Sequence, residues 1–120
     1  LEDKSVKTIL ITGSNGLLGQ HLIKKLRSEN RYNIYGVSRG DNRLTNKEGF
    51  IYFDLDLTDG KNLTQLIDSL LPDVIINTAA MTNVDQCELN HEECDRINVD
   101  MVQTLTDSCK KNDIYLIHIS

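Results

Sequence analysis

Ile9-Leu10-Ile11-Thr12-Gly13-Ser14-Asn15-Gly16-Leu17-Leu18-Gly19 passes from an apolar strand into a glycine-rich turn and on into the start of a helix. Gly13, Gly16 and Gly19 form G-x-x-G-x-x-G, one residue looser at the front than G-x-G-x-x-G but governed by the same physics. Gly13 permits the sharp exit from the strand. Gly16 lets main chain come up against a diphosphate, and Gly19 lets the helix lie close to the sheet. The first N–H groups of a helix have no intrahelical partner and sit at the positive end of its dipole, so an anion is held there.

The rest of the chain repeats the strand-helix alternation. Residues 6–12 read as a strand buried on both faces, because Ile and Leu run almost without interruption. Leu18, Leu22 and Leu26, with Leu17 and Ile23, supply the apolar face of the first helix. Residues 32–38 and 50–53 read as strands two and three. A second helix carries Leu63, Leu66, Ile67, Leu70 and Leu71, and Pro72 closes it. Residues 73–77 form a fourth strand and residues 78–85 a loop. A helix over residues 92–112 follows, with Cys94, Ile97, Met101, Val102 and Leu105 as its stripe, and residues 114–119 are the fifth strand. This order predicts a Rossmann-type, doubly wound α/β fold: a five-stranded parallel sheet, strand order 3-2-1-4-5, with helices on both faces. Ligands bind outside the carboxyl ends of such strands where the order reverses, here between strands one and four. Gly13, Arg39, Asp56, Ala79 and Ser120 all follow strand ends and are expected along that edge.

Composition narrows the partners. The net charge of -5 argues against nucleic acid. No apolar run approaches the roughly 18 residues that span a membrane. Nor do the first residues given read as a basic-then-apolar leader. Cys87, Cys94 and Cys109 are odd in number and lack a C-x-x-C pair, which predicts reduced thiols and a cytoplasmic setting. Cys87, His91 and Cys94 lack a fourth ligand at suitable spacing, so no metal is expected. His21, His91 and His118 have no partners at triad spacing.

The residue ending strand two lies beside the adenosine ribose in this fold. Ser38-Arg39 occupies that place, about 20 residues beyond the glycine turn. A guanidinium matches a 2′-phosphate in fork geometry, which favours NADP; with Arg39 in solvent and Asp41 on the ribose, NAD would fit instead. Asp56 and Leu57 stand where a carboxylate accepts the adenine amino group and a leucine covers the ring. The alternative for Asp54, Asp56 and Asp59 is turn formation and capping, with Thr58 or Asp59 as N-cap of the second helix. Ala79, Ala80, Met81 and Thr82 leave strand four with small side chains that let a dinucleotide lie against the backbone, or that merely pack a tight loop. Asn98, beside the stripe of the long helix, either bonds main chain near the site or faces water.

These residues resemble a known family. Thr12 to Gly19 above, Pro72-Asp73-Val74-Ile75-Ile76-Asn77-Thr78-Ala79-Ala80-Met81-Thr82-Asn83-Val84-Asp85-Gln86-Cys87-Glu88, Ile97-Asn98-Val99 and Ile117-His118-Ile119-Ser120 resemble an extended short-chain dehydrogenase/reductase, and within it the dTDP-4-dehydrorhamnose reductase branch. The resemblance implies that Gly13, Ser14, Asn15, Gly16, Leu17 and Leu18 hold the pyrophosphate. Arg39 would lie by the adenosine ribose, and Asp56 and Leu57 by adenine. Ala79, Ala80, Met81 and Thr82 would run along the ribose and nicotinamide, and Asn98 would help order the active site. Ser120 would open a Ser-[Ser/Thr]-Asp segment. The family's Tyr-x-x-x-Lys pair and sugar-nucleotide region have no counterpart here, since Tyr32, Tyr35, Tyr52 and Tyr115 all lack a lysine four residues on.

The expectation is therefore that residues 1–120 are the N-terminal part of a dinucleotide-binding domain, with no catalytic residue and no turnover by themselves. The parent would be an NADP-dependent reductase delivering hydride to a 4-keto nucleotide sugar. Alternatives are an NAD-dependent sugar-nucleotide epimerase or dehydratase, and a non-catalytic subunit like the regulatory beta subunit of methionine adenosyltransferase. The fifth strand leaves a sheet edge open to pairing with a second copy, a route to a homodimer.

Overall fold

In β1, Lys7–Thr12, successive side chains go to opposite faces, and both faces are buried. Ile9 and Ile11 join Ile23, Ile34, Leu44 and Ile76 on one side, while Leu10 joins Val37, Leu63, Ile67, Ile75, Met101 and Leu105 on the other. The uninterrupted Ile9-Leu10-Ile11 run is thereby explained: β1 is the central strand of a sheet covered twice. A computed structural model of the protein describes residues 6–79 and 91–119, apart from the side chains of residues 91 and 93–97.

The chain continues through α1 (Leu17–Ser28), β2 (Tyr32–Ser38), β3 (Ile51–Asp54), α2 (Gly60–Leu70), β4 (Val74–Asn77), α3 (His91–Asn112) and β5 (Tyr115–His118). All neighbouring strands are parallel, in the order β3-β2-β1-β4-β5. The expected topology is what is found, and its reversal falls between β1 and β4. Helix α1 packs on the Ile9 face, and α2 and α3 pack on the Leu10 face. Element ends differ from the sequence reading by a residue or so at several places, as fraying ends do.

One expectation about α1 needs correcting. Ile23 is fully buried and Leu22 and Leu26 pack against its cluster, but Leu17 is 77% exposed. Leu17 is the first helical residue, and its side chain leans back over the turn before it, where no strand lies beneath.

The two helix starts are built differently. Asp59 caps α2: its carboxylate accepts from the Asn62 N–H at 3.1 Å and from the Asn62 amide nitrogen at 2.7 Å. The Leu71 main chain turns left-handed at φ 45 and ends the helix just before Pro72. Asp59→Ala is expected to cost about 1 kcal/mol in urea unfolding, with Asp59→Asn recovering most of it. The N-cap position of α1 is Gly16, which has no side chain to cap with.

Among the described residues, no helix is long and apolar enough to cross a membrane.

Candidate functional site

The uncapped start of α1 is the end of a turn held rigidly by its neighbours. Gly13 adopts φ +79, and a Cβ there would lie 2.7 Å from both Cα and N of Ala79. That approach presses the exit of β1 against the exit of β4. Gly19 packs just as tightly, since a Cβ on it would lie 2.4 Å from the Gly13 carbonyl oxygen. The turn is tied to β2 by the Gly13 and Ser14 N–H groups, which donate to the Val37 carbonyl at 2.8 and 3.3 Å. The Gly16 N–H donates to the Gly13 carbonyl at 3.0 Å. This leaves the amides of Asn15, Leu17, Leu18 and Gly19 without an acceptor among the described residues.

A polar bridge under the turn fixes the strands around it. The Thr12 hydroxyl donates to Asn77 Oδ1 at 2.6 Å, and the Ala79 N–H donates to the same oxygen at 3.1 Å. Asn77 Nδ2 lies 2.9 Å from His118 Nδ1 on β5. The Thr78 hydroxyl donates to the Thr12 carbonyl at 2.8 Å. Thr12, Asn77 and Thr78 are all buried, and each has its partner, as buried polar groups must.

The side chains of Ser14 and Asn15 are both turned toward β2 and the loop after it. The Ser14 side chain is buried over Gly36 of β2, and its Oγ has no hydrogen-bond partner among the described residues. With its amide on Val37, Ser14 shapes the turn from beneath. The Asn15 side chain reaches sideways into the loop after β2. Its Nδ2 donates to the carbonyls of Arg39 at 3.2 Å and Asp41 at 2.9 Å, and its Oδ1 accepts the Arg43 N–H at 2.9 Å.

Arg39 therefore stands on a loop fastened to the glycine turn, with its own side chain exposed. Asp56 is exposed nearby. Its Oδ1 accepts from the Thr58 N–H at 2.9 Å and the Thr58 hydroxyl at 2.7 Å. Those two bonds, aided by the Arg39 charge, hold its carboxyl below the usual range and keep it ionised. Asp54 accepts the Gly40 N–H at 2.8 Å, so this carboxylate shapes the loop. Leu57 is half-buried against the α2–α3 core. No group of acidic, histidine or cysteine side chains among the described residues has the arrangement of a metal site. Cys109 is buried and reduced, and burial pushes its thiol pKa up, away from reactivity.

The structure thus brings Gly13, Ser14, Asn15, Gly16, Arg39 and Ala79 together at the carboxyl edge of the sheet, with Leu17 and Leu18 opening α1 there. Asn98 is half-buried on α3, with no bond to the turn among the described residues. Ala80, Met81, Thr82 and Ser120 lie outside the described residues. Sequence reasoning passes over Gly36 and Tyr52. Nothing in the local pattern marks either, because Gly36 matters only for the Ser14 side chain above it and Tyr52 only for the loop beside it. Two shallow concavities of about 440 and 470 Å³ lie elsewhere. Lys110, Ile114 and Leu116 help line one, and Lys7, Pro72 and Tyr115 the other. Both are remote from the open amides, so size does not mark the site here; donor chemistry does.

Fold and corner together define a Rossmann-type α/β domain. Residues 7–120 match the model of the RmlD substrate binding domain, and the chain belongs to that family. It is 34% identical over 112 residues to the dTDP-4-dehydrorhamnose reductase of Aggregatibacter actinomycetemcomitans, covering 93% of this chain and 34% of the relative. A solved structure, the hypothetical dTDP-4-dehydrorhamnose reductase from Sulfolobus tokodaii, superposes with a TM-score of 0.77 at 38% identity. That match covers 94% of this chain and 38% of the other. Bordetella bronchiseptica WbmG in complex with NAD and UDP shares the fold, with a TM-score of 0.74 at 24% identity over 95% of this chain and 37% of that one. The chain spans about a third of the length of the first curated relatives it matches.

Proposed function

We propose that this chain is the N-terminal, cofactor-holding part of a cytoplasmic reductase that delivers hydride from NADPH to the keto carbon of a nucleotide-activated 4-keto deoxysugar. The observation that carries the proposal is the pairing of an uncapped helix start, whose open amides include those of Asn15, Leu17 and Leu18, with a guanidinium on a loop fastened to the same turn. Amides suit a diphosphate, which the helix dipole also attracts, and a planar fork suits a 2′-phosphate. The donor set fits the group.

In this reading the amides of Asn15, Leu17 and Leu18 hold the diphosphate, and exposed Leu17 lies along the cofactor. Arg39 takes the 2′-phosphate. Asp56, kept ionised by Thr58, turns its second oxygen to the adenine amino group, and Leu57 backs the ring. Ala79 and, beyond it, Ala80, Met81 and Thr82 border the ribose and nicotinamide, and Asn98 orders the neighbouring active site. A bound nicotinamide supplies the hydride. Proton donation falls to residues outside this stretch, in keeping with the length of the relatives. The identity to dTDP-4-dehydrorhamnose reductases supports the substrate class.

Calorimetry on the intact protein tests this directly. NADP(H) is expected to bind more tightly than NAD(H), and NADPH oxidation is expected to depend on an added dTDP-4-keto-6-deoxy sugar. Affinity for neither dinucleotide would refute the reading, and tighter binding of NAD with sugar epimerisation or dehydration would move the protein to a different activity.

A further inference from the structure

Asn15 is a residue of the glycine turn, yet every polar atom of its buried side chain is spent on the loop after β2. Its Nδ2 also lies 3.1 Å from the Tyr52 hydroxyl, so its two hydrogens are shared among three acceptors. The Tyr52 hydroxyl in turn reaches the Ser38 carbonyl at 3.0 Å and makes a short contact to the Gly40 carbonyl. Between them, one amide and one phenol meet the main chain of Ser38, Arg39, Gly40, Asp41 and Arg43. Packing does little to hold this segment, since Arg39, Gly40, Asp41 and Arg43 are all exposed. A short exposed loop free to move would spread its guanidinium over many positions and would have to be ordered on binding.

We infer that Asn15 and Tyr52 are positioning residues that fix how far the ribose-reading loop stands from the diphosphate seat, and so set the choice between NADP and NAD. The inference rests on the proposal that this corner takes a dinucleotide, and adds two residues that need not touch it through their side chains. Asn15 is suited to the task because its main chain belongs to the turn while its side chain belongs to the loop. Any shift of one is passed to the other through bonds of 2.9 to 3.2 Å. Tyr52 approaches from β3 and closes the cluster from the far side.

The test is the ratio of the dissociation constants of NAD and NADP, measured by calorimetry on the intact protein and its Asn15→Ala, Tyr52→Phe and Arg39→Ala variants. A ratio is insensitive to a general loss of stability, and Tyr52→Phe keeps the ring and removes only the hydroxyl. Asn15→Ala is expected to move the ratio toward unity by about 5- to 30-fold, the worth of one to two net hydrogen bonds. Tyr52→Phe is expected to move it in the same direction by about 5-fold. Ratios in both variants within about twofold of wild type, with Arg39→Ala shifting it, would overturn the inference and leave the NADP reading standing. A wild-type preference for NAD that both variants erode would overturn the NADP reading and support the positioning role.

Discussion

Gly13→Val is expected to abolish dinucleotide binding and to destabilise the fold by about 3 kcal/mol or more. Two independent costs meet at this position. The backbone sits at φ +79, where a β-branched residue is strained, and the new Cβ would fall 2.7 Å from the Ala79 main chain. Neither obstacle can yield cheaply. Ala79 is buried and its N–H is held by Asn77, which is itself fixed to Thr12 and His118. Relief would have to come from parting β1 and β4, and that movement carries the amides of Leu17 and Leu18 with it. Gly40 provides the control. It has φ +90, but nothing lies within 4 Å of where a Cβ would stand, so Gly40→Ala bears the conformational cost alone, about 1–2 kcal/mol. Urea unfolding of both variants, with calorimetric titration of the wild type and each variant, separates the two costs. Equal losses for Gly13→Val and Gly40→Ala would show that the contact with Ala79 contributes nothing.

Arg39→Asp is expected to weaken NADP binding by about 10- to 100-fold while sparing or improving NAD. The substitution removes a fork of donors and puts a carboxylate before a phosphate, so attraction becomes repulsion. Against an unphosphorylated ribose the same carboxylate accepts hydrogen bonds from the hydroxyls. Stability should change little, because the Arg39 side chain is exposed and the loop is held through its main chain. Asp56 should remain ionised, since Thr58 supplies the larger part of what keeps its carboxyl low and Arg39 the smaller. Parallel titrations with both dinucleotides give the answer; an equal loss for the two would remove Arg39 from the ribose.

Whatever a short window of sequence enforces is legible before the fold is known. Ile9, Leu10 and Ile11 announce a strand covered on both faces, because no polar position interrupts them. Gly13 and Gly19 announce a turn that tolerates no Cβ, and the approaches of 2.7 and 2.4 Å supply the reason. Thr58 or Asp59 reads as a cap from its place before an apolar run, and the structure selects Asp59. Leu17 misleads because the helical period continues formally to the first residue, although the sheet does not extend beneath it. Gly36 and Tyr52 are silent for a different reason. Ser14 and Gly36 meet only once β1 and β2 pair, and Asn15 reaches Tyr52 across 37 residues of chain. Side-chain bonds of that span follow from the fold and leave no periodic trace. The same holds for the bridge from Thr12 through Asn77 to His118, which needs three adjacent strands.

In the proposed reading, the open main-chain amides at the start of α1 receive the diphosphate. Amide-resolved proton–nitrogen NMR during titration with NADP, and separately with inorganic pyrophosphate, observes those groups themselves. The amide signals of Asn15, Leu17 and Leu18 are expected to move with both ligands, and those of the Arg39 loop with NADP alone. Saturable binding that leaves the Asn15, Leu17 and Leu18 signals in place would contradict that role.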